Sequence, residues 1–432
     1  MIRGLLVSLT ALVIFSAPVL ATPLPGLNGT TAESIPVIGR LFPEALQTND
    51  YIGYFEASDS FNVLHERYPD LVEVQRVGKS YGLPTAGGQV VQNDVFLIEV
   101  TNEKSAIPFD EKIHLVFNCS IHGNEKGGRE GCMRVIEDFA KGLGIAAEEP
   151  KLVEWLDYMV LAFSFPNTDG WVHDEPEYFA GEPGTMYNRG NGNGSDLNRQ
   201  WPTIGYLEID QSHKTLAEPE AAALAPLMRD RYTNVWYAID IHGMLNPADG
   251  TTTAPDPQGG PTEFQRWAAD DEKGHFVLGL LSSQMLNQDE FFRQTRMAEL
   301  IRERTADCPG QIGAAYCQSP STGAWGGSYN YWGTSWETIS YTSTGTASMY
   351  MGNPYGLNAP AASYEMAYNH IVCDGVYMGC GNIMNEFHVN TVRKMVQALM
   401  EAASIDFQIS LETGAMRTAY VYNPKIISTA GP

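Results

Sequence analysis

Four short apolar runs do most to limit what this chain can fold into: Val95–Val100, Ile113–Phe117, Tyr158–Phe165 and Val235–Ile241. Each is bounded by turn residues or charge, and each has the length and composition of a strand buried on both faces. Segments of helical spacing lie between several of them. The clearest follows Asn124, where Cys132, Val135, Ile136, Phe139 and Leu143 fall on one helical face. Phe61, Leu64, His65 and Tyr68 form a second, stopped by Pro69. Strands alternating with helices predict an α/β fold with a mixed, mostly parallel central sheet flanked by helices. A last long helix is expected over about 388–403. Beyond it, two alternating stretches, Phe407–Leu411 and Ala419–Ile427, predict a small terminal hairpin.

The ends of the chain suggest export. Arg3, the apolar run Leu5–Phe15 and a small residue at Ala21 read as a secretory signal peptide over 1–21, followed by a Pro/Gly/Thr/Asn-rich arm over 22–50. A secreted or periplasmic location is the expectation. Six cysteines in an oxidising compartment favour disulfides. Cys308 with Cys317 and Cys373 with Cys380 are close enough to staple short loops, while Cys119 and Cys132 are either a third pair or two reduced core residues. The formal net charge is −24. Such a surface repels phosphate backbones and anionic headgroups, so neither nucleic acid nor a membrane surface is an expected partner.

Chemistry concentrates where strands end. The run Ile113–Phe117 leads into Asn118-Cys119-Ser120-Ile121-His122-Gly123-Asn124-Glu125 and then the amphipathic helix. An imidazole and a carboxylate three residues apart at a strand-to-helix turn suit zinc, which needs one more protein ligand. Alone, that pattern is also a polar helix start capped by Asn124. The second strand end, Asp240-Ile241-His242-Gly243, supplies a third ligand in the same setting; the other seven histidines lack it. Asn188 to Pro202 is a Gly/Asn-rich loop carrying Arg189, Asn198 and Arg199, donors suited to a carboxylate or a developing oxyanion.

With these motifs in hand, the chain resembles the zinc carboxypeptidase (metallocarboxypeptidase) family. The resemblance rests, in order, on His122-Gly-Asn-Glu125 before a helix, Pro166-Asn-Thr-Asp-Gly170, Asp196-Leu-Asn-Arg-Gln-Trp-Pro202 and Ile241-His242-Gly243, and it extends from about Tyr51 to about Ala403. It implies one zinc ion held by His122, Glu125 and His242, with Arg189 polarising the scissile carbonyl and Asn198 and Arg199 gripping the substrate's terminal carboxylate. Glu337, after the Gly326-Gly327 turn, is assigned as general base, with Glu365 as fallback although its surroundings read as helical. Tyr316 is the candidate for a tyrosine that closes over substrate, and Tyr329 for a residue lining the side-chain pocket.

Residues 122, 125, 242 and 337 must meet at one ion, so 51–404 is expected to be one catalytic domain, with 405–432 as the hairpin extension. The function implied is a secreted zinc metallocarboxypeptidase acting on the C-termini of peptides or proteins. Two alternatives remain at this level. One is a zinc amidase of the same fold acting on cell-wall γ-glutamyl peptides or acyl-amino acids; the other is an inactive binding module.

Overall fold

The computed structural model describes residues 51–413 except 85–87, 173–188, 207–213, 244–275, 283–287, 307–328, 336–337, 339–342 and 367–381. All four apolar runs are strands. Eight strands make the main sheet: β1 (Val72–Lys79), β2 (Asp94–Val100), β3 (Ile113–Cys119), β4 (Met159–Phe165), β5 (Val235–Gly243), β6 (Phe276–Leu281), β7 (Tyr329–Thr334) and β8 (Ala361–Met366). Their spatial order is β1-β2-β4-β3-β5-β8-β6-β7. The central run β4-β3-β5-β8 is parallel, as is β6 with β7, while β1 with β2, β2 with β4 and β8 with β6 are antiparallel. The fold is therefore α/β, with a mixed, mostly parallel sheet between helices.

Helices cover both faces. On one lie α1 (Tyr54–Arg67), α2 (Lys126–Lys141), α4 (Gln288–Ala306) and α6 (Asn382–Thr413); on the other lie α3 (Pro219–Arg231) and α5 (Ala347–Gly352). Successive strand residues point to opposite faces, so each strand feeds two cores. Phe117, Phe163, Ile239 and Tyr364 pack beneath α2 and α6, whereas Val116, Ala162, Ala238 and Ala361 pack beneath α3 and α5. Moving along this second face toward the carboxyl ends, the side chains turn from apolar to polar at Ser164, Asn118, Asp240 and Ser363. These four residues are paired rung to rung across β4, β3, β5 and β8. The next position along brings His242 and Glu365.

Two features hold α2 in place. A disulfide joins Cys119, at the end of β3, to Cys132 on α2. The other four cysteines lie outside the described residues. Farther along α2, a Cβ added at Gly131 would overlap Val392 of α6, so the two helices approach at a point only glycine allows.

The C-terminal expectation needs correction. Residues 407–411 are not a strand: α6 continues to Thr413. Phe407, Ile409 and Leu411 alternate in sequence, but tertiary partners favour the helix. Asp406 accepts from Tyr237 Oη and pairs with Arg293 and Arg296, and the Phe407 ring stacks on Tyr158. Ala419–Ile427, the signal segment and the arm lie outside the described residues.

Candidate metal centre and its cleft

The centre is assembled from two strand ends and the turn into α2. Glu125 occupies the cap position of α2 without capping it, because its carboxylate is used elsewhere. Its Oε1 lies 2.7 Å from His122 Nδ1 and its Oε2 2.9 Å from His242 Nδ1. Asn124, the expected cap, does not hold that position. The two Nδ1 atoms are 3.2 Å apart, and all three ligand-type atoms fall within 4.8 Å of one another. His122, Glu125 and His242 are each buried.

Every outward-facing atom of this group is already engaged. His122 Nε2 is 3.1 Å from Asp196 Oδ1, and His242 Nε2 is 2.7 Å from Asp240 Oδ2. A carboxylate on the outer nitrogen places the ring proton there and leaves the inner nitrogen as a lone-pair donor. Two such nitrogens and one carboxylate oxygen are a donor set that fits zinc. Burial alone would raise the Glu125 carboxyl, but the two imidazoles beside it hold it well below the usual carboxylate range. Burial likewise opposes charge on His242, yet Asp240 and Glu125 outweigh it and raise its pKa well above the ordinary value. Asp196 is also kept low: burial is overcome by His122, Arg189 and Arg199. The cluster is thus electrostatically built around positive charge.

A cleft opens beside these ligands, lined by His122, Arg189, Asn198, Arg199, His242 and Glu365, with Ser335, Ser343, Thr346, Ser348 and Ser363 along its wall. The guanidinium of Arg189 spans Asp196 Oδ2 at 3.2 Å and Glu125 Oε1 at 3.4 Å. Asn198 is held by Asp196 Oδ1, which accepts from its backbone N, and by the backbone N of Ala347, which donates to its Oδ1. Arg199 Nη1 donates to the carbonyl of Asn198. The five sequence candidates His122, Glu125, His242, Arg189 and Asn198 therefore meet in one place, and Arg199 joins them at the cleft wall.

Glu337 and Tyr316 lie outside the described residues. Tyr329 begins β7, and its side chain is also outside them. Glu365, by contrast, faces the cleft. Its surroundings are a strand and not the helix their composition suggests. Ala361, Ala362, Glu365 and Met366 favour helix intrinsically, but pairing on both sides with β5 and β6 overrides that preference. The places of Asp196 and Asp240 against the histidines were not anticipated. The available signal was a carboxylate two residues before each of Asn198 and His242.

The family model described as zinc carboxypeptidase matches residues 58–246, a segment that contains His122, Glu125, Arg189, Asn198, Arg199 and His242. No curated protein matches the chain. Among solved structures, bovine thrombin-activatable fibrinolysis inhibitor in complex with tick carboxypeptidase inhibitor is similar at 15% identity and a TM-score of 0.50, covering 83% of this chain and 98% of that one. Carboxypeptidase A from Helicoverpa armigera is similar at 16% identity and a TM-score of 0.50, covering 82% of this chain and 75% of that one. At such identities the structural likeness is one of fold, and the likeness in sequence is that of the matched segment. Residues 58–246 thus match the zinc carboxypeptidase family model, and the fold around them is that of solved metallocarboxypeptidases.

Proposed function

We propose that this protein is a secreted zinc-dependent metallocarboxypeptidase that removes the last residue of peptides or proteins. The observation that carries this reading is a single cleft shared by a His-Glu-His donor set, a carboxylate and two arginines. Zinc held by His122, Glu125 and His242 would supply Lewis-acid polarisation of a carbonyl and activation of water. Glu365 is our choice of general base in preference to Glu337, because it stands in register with His242 on the adjoining parallel strand. Its carboxylate takes a proton from the attacking water and passes it to the leaving amine. Arg189 faces the scissile carbonyl oxygen and offsets the charge it gains. Arg199 and Asn198 bind the free terminal carboxylate, which sets cleavage at the last bond.

The decisive experiment compares matched peptides with free and amidated C-termini, before and after chelation. Cleavage of the free form alone, abolished by chelator and restored by zinc, is the expected result. Equal cleavage of both forms would favour an amidase with another recognition element. No turnover of either by the zinc-loaded protein would favour a binding module.

A further inference from the structure

We infer that Asp240, Asn118 and Ser164 form a buried positioning relay that fixes the His242 imidazole toward the metal from across three strands of the sheet. The inference rests on the zinc-site reading above. Ser164 Oγ donates to Asn118 Oδ1 at 2.8 Å, Asn118 Nδ2 donates to Asp240 Oδ1 at 2.8 Å, and His242 Nε2 donates to Asp240 Oδ2 at 2.7 Å. All three relay residues have no exposed surface. They occupy one rung of β4, β3 and β5, where Ser164 pairs with Asn118 and Asn118 with Asp240. The relay is thus mounted on three adjoining, fully buried strands at the centre of the sheet.

Charge and geometry both argue for this role. Burying a carboxylate is costly unless it is paired, and among the described residues no lysine or arginine bonds to Asp240; its partners there are one amide and one imidazole. The arrangement becomes favourable when the far side of that imidazole faces a cation. Each oxygen of Asp240 has a separate task. Oδ1 is locked by Asn118, so Oδ2 points at His242, and with Nε2 held by Asp240 it is Nδ1, beside Glu125, that is presented to a metal. Asn198 Nδ2 approaches His242 Nε2 only at 3.4 Å and gives no comparable anchor. His122 is served differently, since Asp196 is partly exposed and is shared with Arg189. The His242 side is the fixed leg of the centre.

The test measures zinc affinity by chelator competition and the visible spectrum of the cobalt-substituted protein, with near-UV circular dichroism to establish folding. Asp240→Ala should weaken zinc binding about 10- to 100-fold. Asp240→Asn, which keeps an acceptor, should recover part of that loss. Asn118→Ala, which leaves the carboxylate but frees it to rotate, should weaken binding by a smaller factor and shift the cobalt bands. A folded Asp240→Ala variant that binds zinc as the wild type does overturns the relay. If that variant does not fold, Asn118→Ala decides, and unchanged affinity and spectrum in it overturn the relay equally. A wild-type protein that takes up no zinc overturns the metal-site reading as well; wild-type uptake with unaffected variants overturns the relay alone.

Discussion

Glu365 and His242 sit opposite one another on adjacent parallel strands, and the proposed chemistry depends on that pairing. Replacing Glu365 by Gln removes the proposed proton acceptor while keeping size and hydrogen-bonding capacity. Turnover should fall by about 10² to 10⁴ with zinc content unchanged, a loss typical of general-base removal. The same substitution at Glu337 should leave turnover near that of the wild type, and steady-state kinetics of the two variants settle which glutamate acts. Arg199 is expected to behave differently. Arg199→Ala should raise KM for peptides with a free C-terminus far more than it lowers kcat, because the interaction it loses is with the bound carboxylate. The residues easiest to find in the sequence were those tied to backbone punctuation. His122 and His242 each precede a glycine at the end of an apolar run. Glu365 has no such marker: it follows Ala-Ala-Ser-Tyr, and its place becomes visible only when β8 is inserted between β5 and β6.

At the scale of elements, the turn from β3 into α2 carries two of the three candidate metal ligands and is closed on itself by the Cys119–Cys132 bridge. Closing a loop of this size stabilises a fold by about 3 kcal/mol in the chain-entropy view. Cys119→Ser with Cys132→Ser should therefore lower the thermal midpoint and loosen zinc binding together, as calorimetry and metal competition would show. The sequence left this pair undecided, since spacing alone does not reveal that a strand end and a helix face lie side by side. A comparable gap explains the C-terminus. Alternating Phe407, Ile409 and Leu411 argue for a strand, but Asp406 is anchored by Tyr237, Arg293 and Arg296, three residues remote in sequence. Asp406→Ala removes the largely buried carboxylate that Arg293 and Arg296 share. It should cost about 3 kcal/mol, within the range for breaking such pairs, and chemical denaturation measures it. The strands themselves were legible because a sheet covered on both faces needs uninterrupted apolar runs.

For the molecule as a whole, metal and pH act on stability in separable ways. A ligand bound only to the folded state stabilises it by about 4 kcal/mol at a thousandfold excess over Kd, so chelation should lower the melting temperature and zinc should restore it. Glu56 responds to pH. Burial, reinforced by the nearby Glu130, raises its carboxyl from 4.5 to about 7 in the folded protein. The folded state then holds a proton that the unfolded chain has released. Its contribution is complete below the unfolded pKa and is lost as pH rises through about 7. Glu56→Gln should flatten the decline in melting temperature between acidic and mildly alkaline buffer; an unchanged slope would show that Glu56 is not responsible.

The contact of Gly131 with Val392 also orders events in time. The helix that leads away from Glu125 rests on a helix that is synthesised only after all three candidate ligands. A nascent chain that has emerged only as far as β8 already contains His122, Glu125 and His242 but lacks the surface against which α2 is seated. On the proposed zinc reading, full metal affinity follows the docking of α6 and does not precede it.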